Sequence, residues 1–137
     1  MKSRAALLFC LSVLSLAGCA KPSGADESFP VFLDRFIREA SFRTSRTSLP
    51  LLVLVGSPSE DRSAQTWTAE QFKEKFTVPV MKDQLQSKGL VESTLTSTPT
   101  EVELLQSIPQ SDSYHLKYRF ELRSGRWFLT YFEDSSY

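Results

Sequence analysis

Few side chains in this sequence can do chemistry, and their types narrow what that chemistry could be. There are two cysteines, Cys10 and Cys19, and a single histidine, His115. One histidine cannot build a metal site of several imidazoles, and a Ser-His-Asp arrangement would rest on that one ring. Lys117 and Arg119 follow His115 at i+2 and i+4, which places it on the polar side of any strand through this segment. Adjacent acids occur at Glu60-Asp61 and Glu133-Asp134. Such pairs do acid–base work only where their surroundings drive their pKa values apart, and are otherwise solvated charge. Tyr114, Tyr118 and Tyr131 could donate a proton inside an apolar pocket if an Asp base stood opposite, yet the strand alternation places no Asp on an inward position. There is no G-x-S-x-G, no Gly-rich phosphate loop and no calcium-loop spacing. The expectation is therefore a protein with no catalytic, cofactor-binding or metal-binding residue, more in keeping with a non-enzyme than an enzyme.

The cysteines point elsewhere. Lys2 and Arg4 precede an apolar stretch, Ala5 to Leu16, broken only by serines. This is a charged n-region followed by an h-region of secretory length, shorter than the roughly 20 residues needed to span a bilayer core. It ends in Leu16-Ala17-Gly18-Cys19, which resembles the lipobox of bacterial lipoproteins. The resemblance implies that residues 1–18 are a cleaved signal peptide. It also implies that the Cys19 thiol receives a diacylglycerol and that its new amine is acylated. Cys10 would leave with the leader, making Cys19 the only thiol of the mature chain. An unpaired thiol in an oxidising compartment is a liability that a thioether removes. The alternative is an ordinary signal peptide with Cys19 left free. Two or three acyl chains hold a protein firmly where one binds marginally, so the implied partner is the membrane, through acyl chains on Cys19. Ala20 stands where Asp favours inner-membrane retention in enterobacterial lipoproteins, which points to the outer membrane of a bacterial cell envelope.

Removing the leader leaves 119 of the 137 residues, with 14 basic side chains against 16 acidic ones. That is enough for one compact domain, and a slightly acidic chain has no electrostatic footprint for nucleic acid. The densest basic group is Arg35, Arg38, Arg43 and Arg46, a solvated helix face or an anion contact. Residues 19–27 read as a flexible tether, with Ala20 to Glu27 giving a standoff of roughly 15 Å by coil statistics, and 28–137 as a single domain.

The domain opens with Phe29, Phe32, Leu33, Phe36 and Ile37 on one helical stripe, with Ser28 as N-cap and Pro30 in the first turn. Leu49 to Val55 is an apolar run that predicts a strand buried on both faces, and Ser57 to Thr66 a polar loop. Thr68 and Gln71 form a capping-box pattern before a helix carrying Phe72 and Phe76. Val80 to Lys88 reads as a second short helix stopped at Gly89. Val91 to Ser97 and Thr100 to Ile108 are expected strands. From Tyr114 to Leu122 the chain alternates into a Ser124-Gly125 hairpin and Arg126 to Glu133. The simplest register pairs Leu122 with Trp127, Phe120 with Leu129 and Tyr118 with Tyr131 on one face. The other face then pairs Glu121 with Phe128 and Lys117 with Phe132.

These elements make an α+β fold. Phe42, Arg46, Pro50 and Leu51, with the terminal Trp127-Phe128-Leu129 and Phe132-Glu133-Asp134, resemble a family of uncharacterised bacterial lipoproteins with the nuclear-transport-factor-2-like fold. The resemblance implies N-terminal helices packed on a curved antiparallel sheet, a cone, and carries no activity. Two functions are open. One is a membrane-tethered, non-catalytic binding or assembly module with an envelope protein partner, which an exposed aromatic patch around Phe128 and Phe132 would favour. The other is a pocket binding a small apolar ligand, conceivably with weak enzymatic activity, which an enclosed cavity lined by Trp127, Tyr118 and Phe36 would favour.

Overall fold

The computed structural model describes residues 24–57 and 62–136. The expected signal peptide, Cys19, most of the tether and the Glu60-Asp61 pair lie outside the described residues. Helix α1 (Phe29–Arg38) begins where expected, with Pro30 in the first turn. Its apolar stripe turns inward: Phe32 and Phe36 are buried, and Phe29 and Leu33 pack at the edge of the same core. Ion pairs at i,i+4, Arg35–Glu39 (3.0 Å) and Arg38–Asp34 (2.9 Å), line its solvent side. Glu39 is extended and ends the helix before a short α2 (Ala40–Ser45). Arg43 reaches back to donate to the carbonyls of Phe36 and Ile37, both at 2.9 Å, satisfying acceptors left open by the break.

Strand β1 (Thr47–Val55) follows, then β2 (Ser63–Trp67), α3 (Ala69–Lys75), β3 (Val91–Ser97), β4 (Glu101–Ser107), β5 (His115–Arg123) and β6 (Arg126–Asp134). The six strands form one sheet in the order β2-β1-β6-β5-β4-β3. All neighbours are antiparallel except β1 and β6, which run parallel. The sheet is thus mixed where a purely antiparallel one was expected, because the helical pair and β1 precede the whole β3–β6 meander. The fold is α+β, with the helices on the inner face of a curved sheet. The Thr68–Gln71 capping box forms at α3 as expected. The second short helix does not: turns lead to a 3₁₀ segment at Gln86–Lys88, stopped by Gly89 at φ 67°.

Two strands depart from expectation. The polar stretch read as a loop contains β2, which pairs with β1 through backbone alone, its side chains exposed except Trp67. In β1, Leu51 and Val53 are fully buried but Leu52 is 49% exposed, so the strand is covered on one face only. A third departure sets the core. Phe120 pairs with Leu129, yet Arg119 pairs with Tyr131, so Thr130 is an extra residue. This β-bulge reverses the facing of every later residue in β6. Tyr118 therefore stands opposite Phe132, and Lys117 opposite Glu133.

Rings fill the space between sheet and helices. Phe36 meets Phe120 edge-on at 5.5 Å and Phe76 at 6.1 Å, while Phe76 also contacts Phe132 at 4.9 Å and Phe72 at 4.6 Å. Edge-to-face packing of this kind adds to the burial of large apolar surface.

Candidate functional site

The titratable residues singled out from the sequence fall on two faces of the sheet. On the outer face, His115 shares its side with Lys117, Arg119 and Glu133 and is half-buried. Glu133 is the best-held acid of this face. It accepts from Arg62 at 2.9 Å and from the Tyr131 hydroxyl at 3.2 Å, and it pairs with Lys117 at 3.3 Å. Glu103 holds Arg119 at 3.0 Å, and the Arg119 guanidinium lies 5.1 Å from the Tyr131 ring. Partial burial, then the Glu133 charge and hydrogen bond, push the Tyr131 phenol up to about 12. Glu133 and Glu103 are thus each engaged by cations, and Glu133 by a hydroxyl as well.

On the inner face the Thr130 bulge places what the simple alternation does not: Asp134, opposite Leu116, at the core-side end of β6. Burial and the nearby Asp134 charge raise the Tyr114 phenol, and burial above all raises the Tyr118 phenol well above its ordinary range. An Asp beside two tyrosines is the arrangement that proton abstraction would need. Asp134 and Tyr118 also have bonds of their own. Asp134 accepts from the Ser136 backbone and hydroxyl, and the Tyr118 hydroxyl donates to the Thr77 carbonyl at 3.0 Å with the ring fully buried. Among the described residues, no group of three or more His, Cys, Asp and Glu could hold a metal ion.

The four arginines are dispersed into separate tasks. Arg35 and Arg38 make helix ion pairs, and Arg43 caps α1. Arg46 lies 4.8 Å from the Phe42 ring and 5.5 Å from Phe128, and grips both oxygens of Glu27 at 2.8 and 3.2 Å. Glu27 also accepts from the Trp127 backbone N–H at 3.0 Å, while its carbonyl takes the Trp127 indole N–H at 2.8 Å. This residue, read as the end of a loose tether, is instead part of the domain.

Neither the aromatic patch that would favour the first function nor the enclosed cavity that would favour the second is found among the described residues. Phe132 is in the core and Phe128 is half-buried beneath Arg46. Trp127, Tyr118 and Phe36 belong to the packed cluster. An apolar cleft of about 210 Å³ lies instead between α1 and the segment after α3, lined by Leu33, Ile37, Val80, Met81 and the rim residues Lys82 and Glu92. The fully buried Gln106 holds two of the lining residues, Val80 and Glu92, in place. Its amide exchanges two 2.8 Å bonds with the backbone of Val80 and donates a third to Glu92. A shallower, open groove of about 630 Å³ runs along the start of β1 and the tip of the β5–β6 hairpin, past Leu49, Arg123, Arg126 and Phe128.

No family model and no curated protein matches the chain. Solved structures do resemble it. One is an NTF2-like protein from Bacteroides fragilis, 17% identical over 83% of this chain and 49% of that one, with a TM-score of 0.60. Another is a cystatin-like protein from Bacteroides caccae, 21% identical over 81% and 78% of the two chains, with a TM-score of 0.58. A third is a protein from Bacteroides uniformis, 23% identical over 80% and 77%, with a TM-score of 0.56. The chain spans about half the length of the first. The likeness establishes the fold: a nuclear-transport-factor-2-like α+β domain.

Proposed function

We propose that this protein is a lipoprotein of the bacterial cell envelope, acylated on Cys19 and held at the outer membrane. Its domain acts as a non-catalytic binding or assembly module for an envelope protein partner. The observation that carries the anchor is Leu16-Ala17-Gly18-Cys19 directly after an h-region. What supports a non-catalytic domain is the filling of the cone by aromatic rings, together with the engagement of Asp134, Glu133 and Tyr118 in bonds of their own. Leu52, 49% exposed on β1, supplies apolar surface for a protein contact. Metabolic labelling with a fatty-acid analogue tests the anchor: the full chain takes the label, and a Cys19→Ala chain that still takes it overturns the reading.

A second reading has one observation in its favour, the cleft beside Ile37 and Met81. At about 210 Å³ it lies below the roughly 300 Å³ at which drug-sized pockets begin, so it suits a short acyl or similarly small apolar group. Co-purification of such a molecule, lost in Leu33→Trp, would support it.

A further inference from the structure

The chain enters the domain at one place. Gly24 and Ala25 share a hollow with Ser124, Gly125 and Arg126, and the Glu27 N–H donates to the Gly125 carbonyl at 3.0 Å. Residues 19–23 separate Cys19 from this hairpin tip. At about 3.5 Å per residue these five residues reach no more than roughly 17 Å, even fully extended. The opposite end of the domain, at the β4–β5 turn, lies the length of β5 away, from Arg123 back to His115. At about 3.4 Å per residue that is roughly 27 Å. A chain anchored at Cys19 therefore cannot turn its far end to the membrane. The hairpin end is the one held within reach of it.

That end carries the open groove between β1 and the hairpin. Arg126 is exposed and makes no ion pair among the described residues. Arg123 divides its guanidinium between Glu121 at 2.7 Å and the Ser48 hydroxyl at 3.2 Å. The acids nearby are Glu121, Glu27, which Arg46 occupies, and Asp26 beside Gly125. Leu49 stands exposed between the basic groups and Phe128.

We propose that this groove is the face the domain lays on a phospholipid surface, with Arg126 and Arg123 on headgroup phosphates and Leu49 at the glycerol level. The proposal rests on acylation of Cys19. Guanidinium forks match phosphate oxygens, and the local charges nearly balance, so the contact is weak on its own. A short tether raises the local concentration to the millimolar range, which suffices for a weak contact to be occupied.

The test uses the full chain, purified from membranes and reconstituted in vesicles of phosphatidylethanolamine and phosphatidylglycerol. Single-cysteine variants Ser124→Cys and Gln110→Cys carry a fluorophore, and brominated lipids quench it by proximity. Quenching is expected at 124 and absent at 110, and Arg126→Ala lowers the quenched population by about fivefold, the weight of one basic residue at an anionic surface. Equal quenching at both positions overturns the orientation. Quenching at 124 that survives both Arg126→Ala and Leu49→Ser shows proximity imposed by the tether alone and overturns the groove as a contact. The mass of the N-terminal peptide separates the two readings. An unacylated Cys19 removes both, whereas an acylated Cys19 without quenching removes only this one.

Discussion

Glu27, two residues before α1, joins Arg46 at the end of α2 to Trp127 in β6 through a single carboxylate. Charge-assisted hydrogen bonds are the stronger kind. Glu27→Ala is expected to cost about 2 kcal/mol in a denaturant melt, in the range for bonds to charged groups. Glu27→Gln, which keeps the acceptor for the Trp127 N–H, should cost less. Tyr131 offers a pH test. Its phenol ionises at about 12 in the folded domain, above the ordinary value near 10 of an unfolded chain. The unfolded chain gives up this proton first, so the stability from the raised pKa is fully present below about pH 10 and is lost as pH rises toward 12. Denaturant midpoints across that window should fall less steeply in Tyr131→Phe than in the parent, and equal slopes would contradict the assignment.

At the scale of elements, one residue decides which side of β6 becomes core. The Thr130 bulge turns Phe132 inward and leaves Tyr131 outside against Arg119. Deleting Thr130 would remove the extra residue yet keep Tyr131 opposite Arg119 and Phe132 opposite Tyr118, so Phe132 would stay in the core. The expected cost is therefore well below the roughly 3–5 kcal/mol of losing a core aromatic, and a loss of that size in a denaturant melt would show that the bulge itself is needed. Phe36, at the centre of the α1 stripe and in contact with three rings, is expected to cost about 3–5 kcal/mol on substitution by Ala. A loss below about 1 kcal/mol would mean that the helix face can collapse around the gap.

At the scale of the whole molecule, the cone is occupied by its own side chains, and the polar groups that could do chemistry sit at its rim or on its back. His115 lies among the ion pairs of the outer face. His115→Ala should therefore leave the domain folded and its cellular role intact, and purified protein should show no hydrolase or isomerase turnover. Turnover that vanishes in His115→Ala would move the protein to the enzymes.

Periodicity alone determined the α1 stripe, the capping box at α3, the β5 alternation and the Ser124-Gly125 turn, with φ 50° and 77° at its two residues. Each of these depends on residues within about one turn or one strand of each other, so local spacing carries the information. The proposed leader and its Cys19 motif are likewise read from contiguous residues. The tertiary structure decided the rest. β2 has no apolar signature because its reason to exist is the open backbone edge of β1, a partner that local patterning does not contain. The parallel β1–β6 pairing joins segments about 80 residues apart, as Val53 beside Phe132 shows. The bulge at Thr130 is chosen by competition between Tyr131 and Phe132 for the core, and only the packed rings of α1 and α3 settle it. That choice in turn set Asp134 on the inner face and Glu133 among the cations outside. The candidate site was hidden from the sequence by one extra residue, since a single-residue shift reverses every facing that follows it.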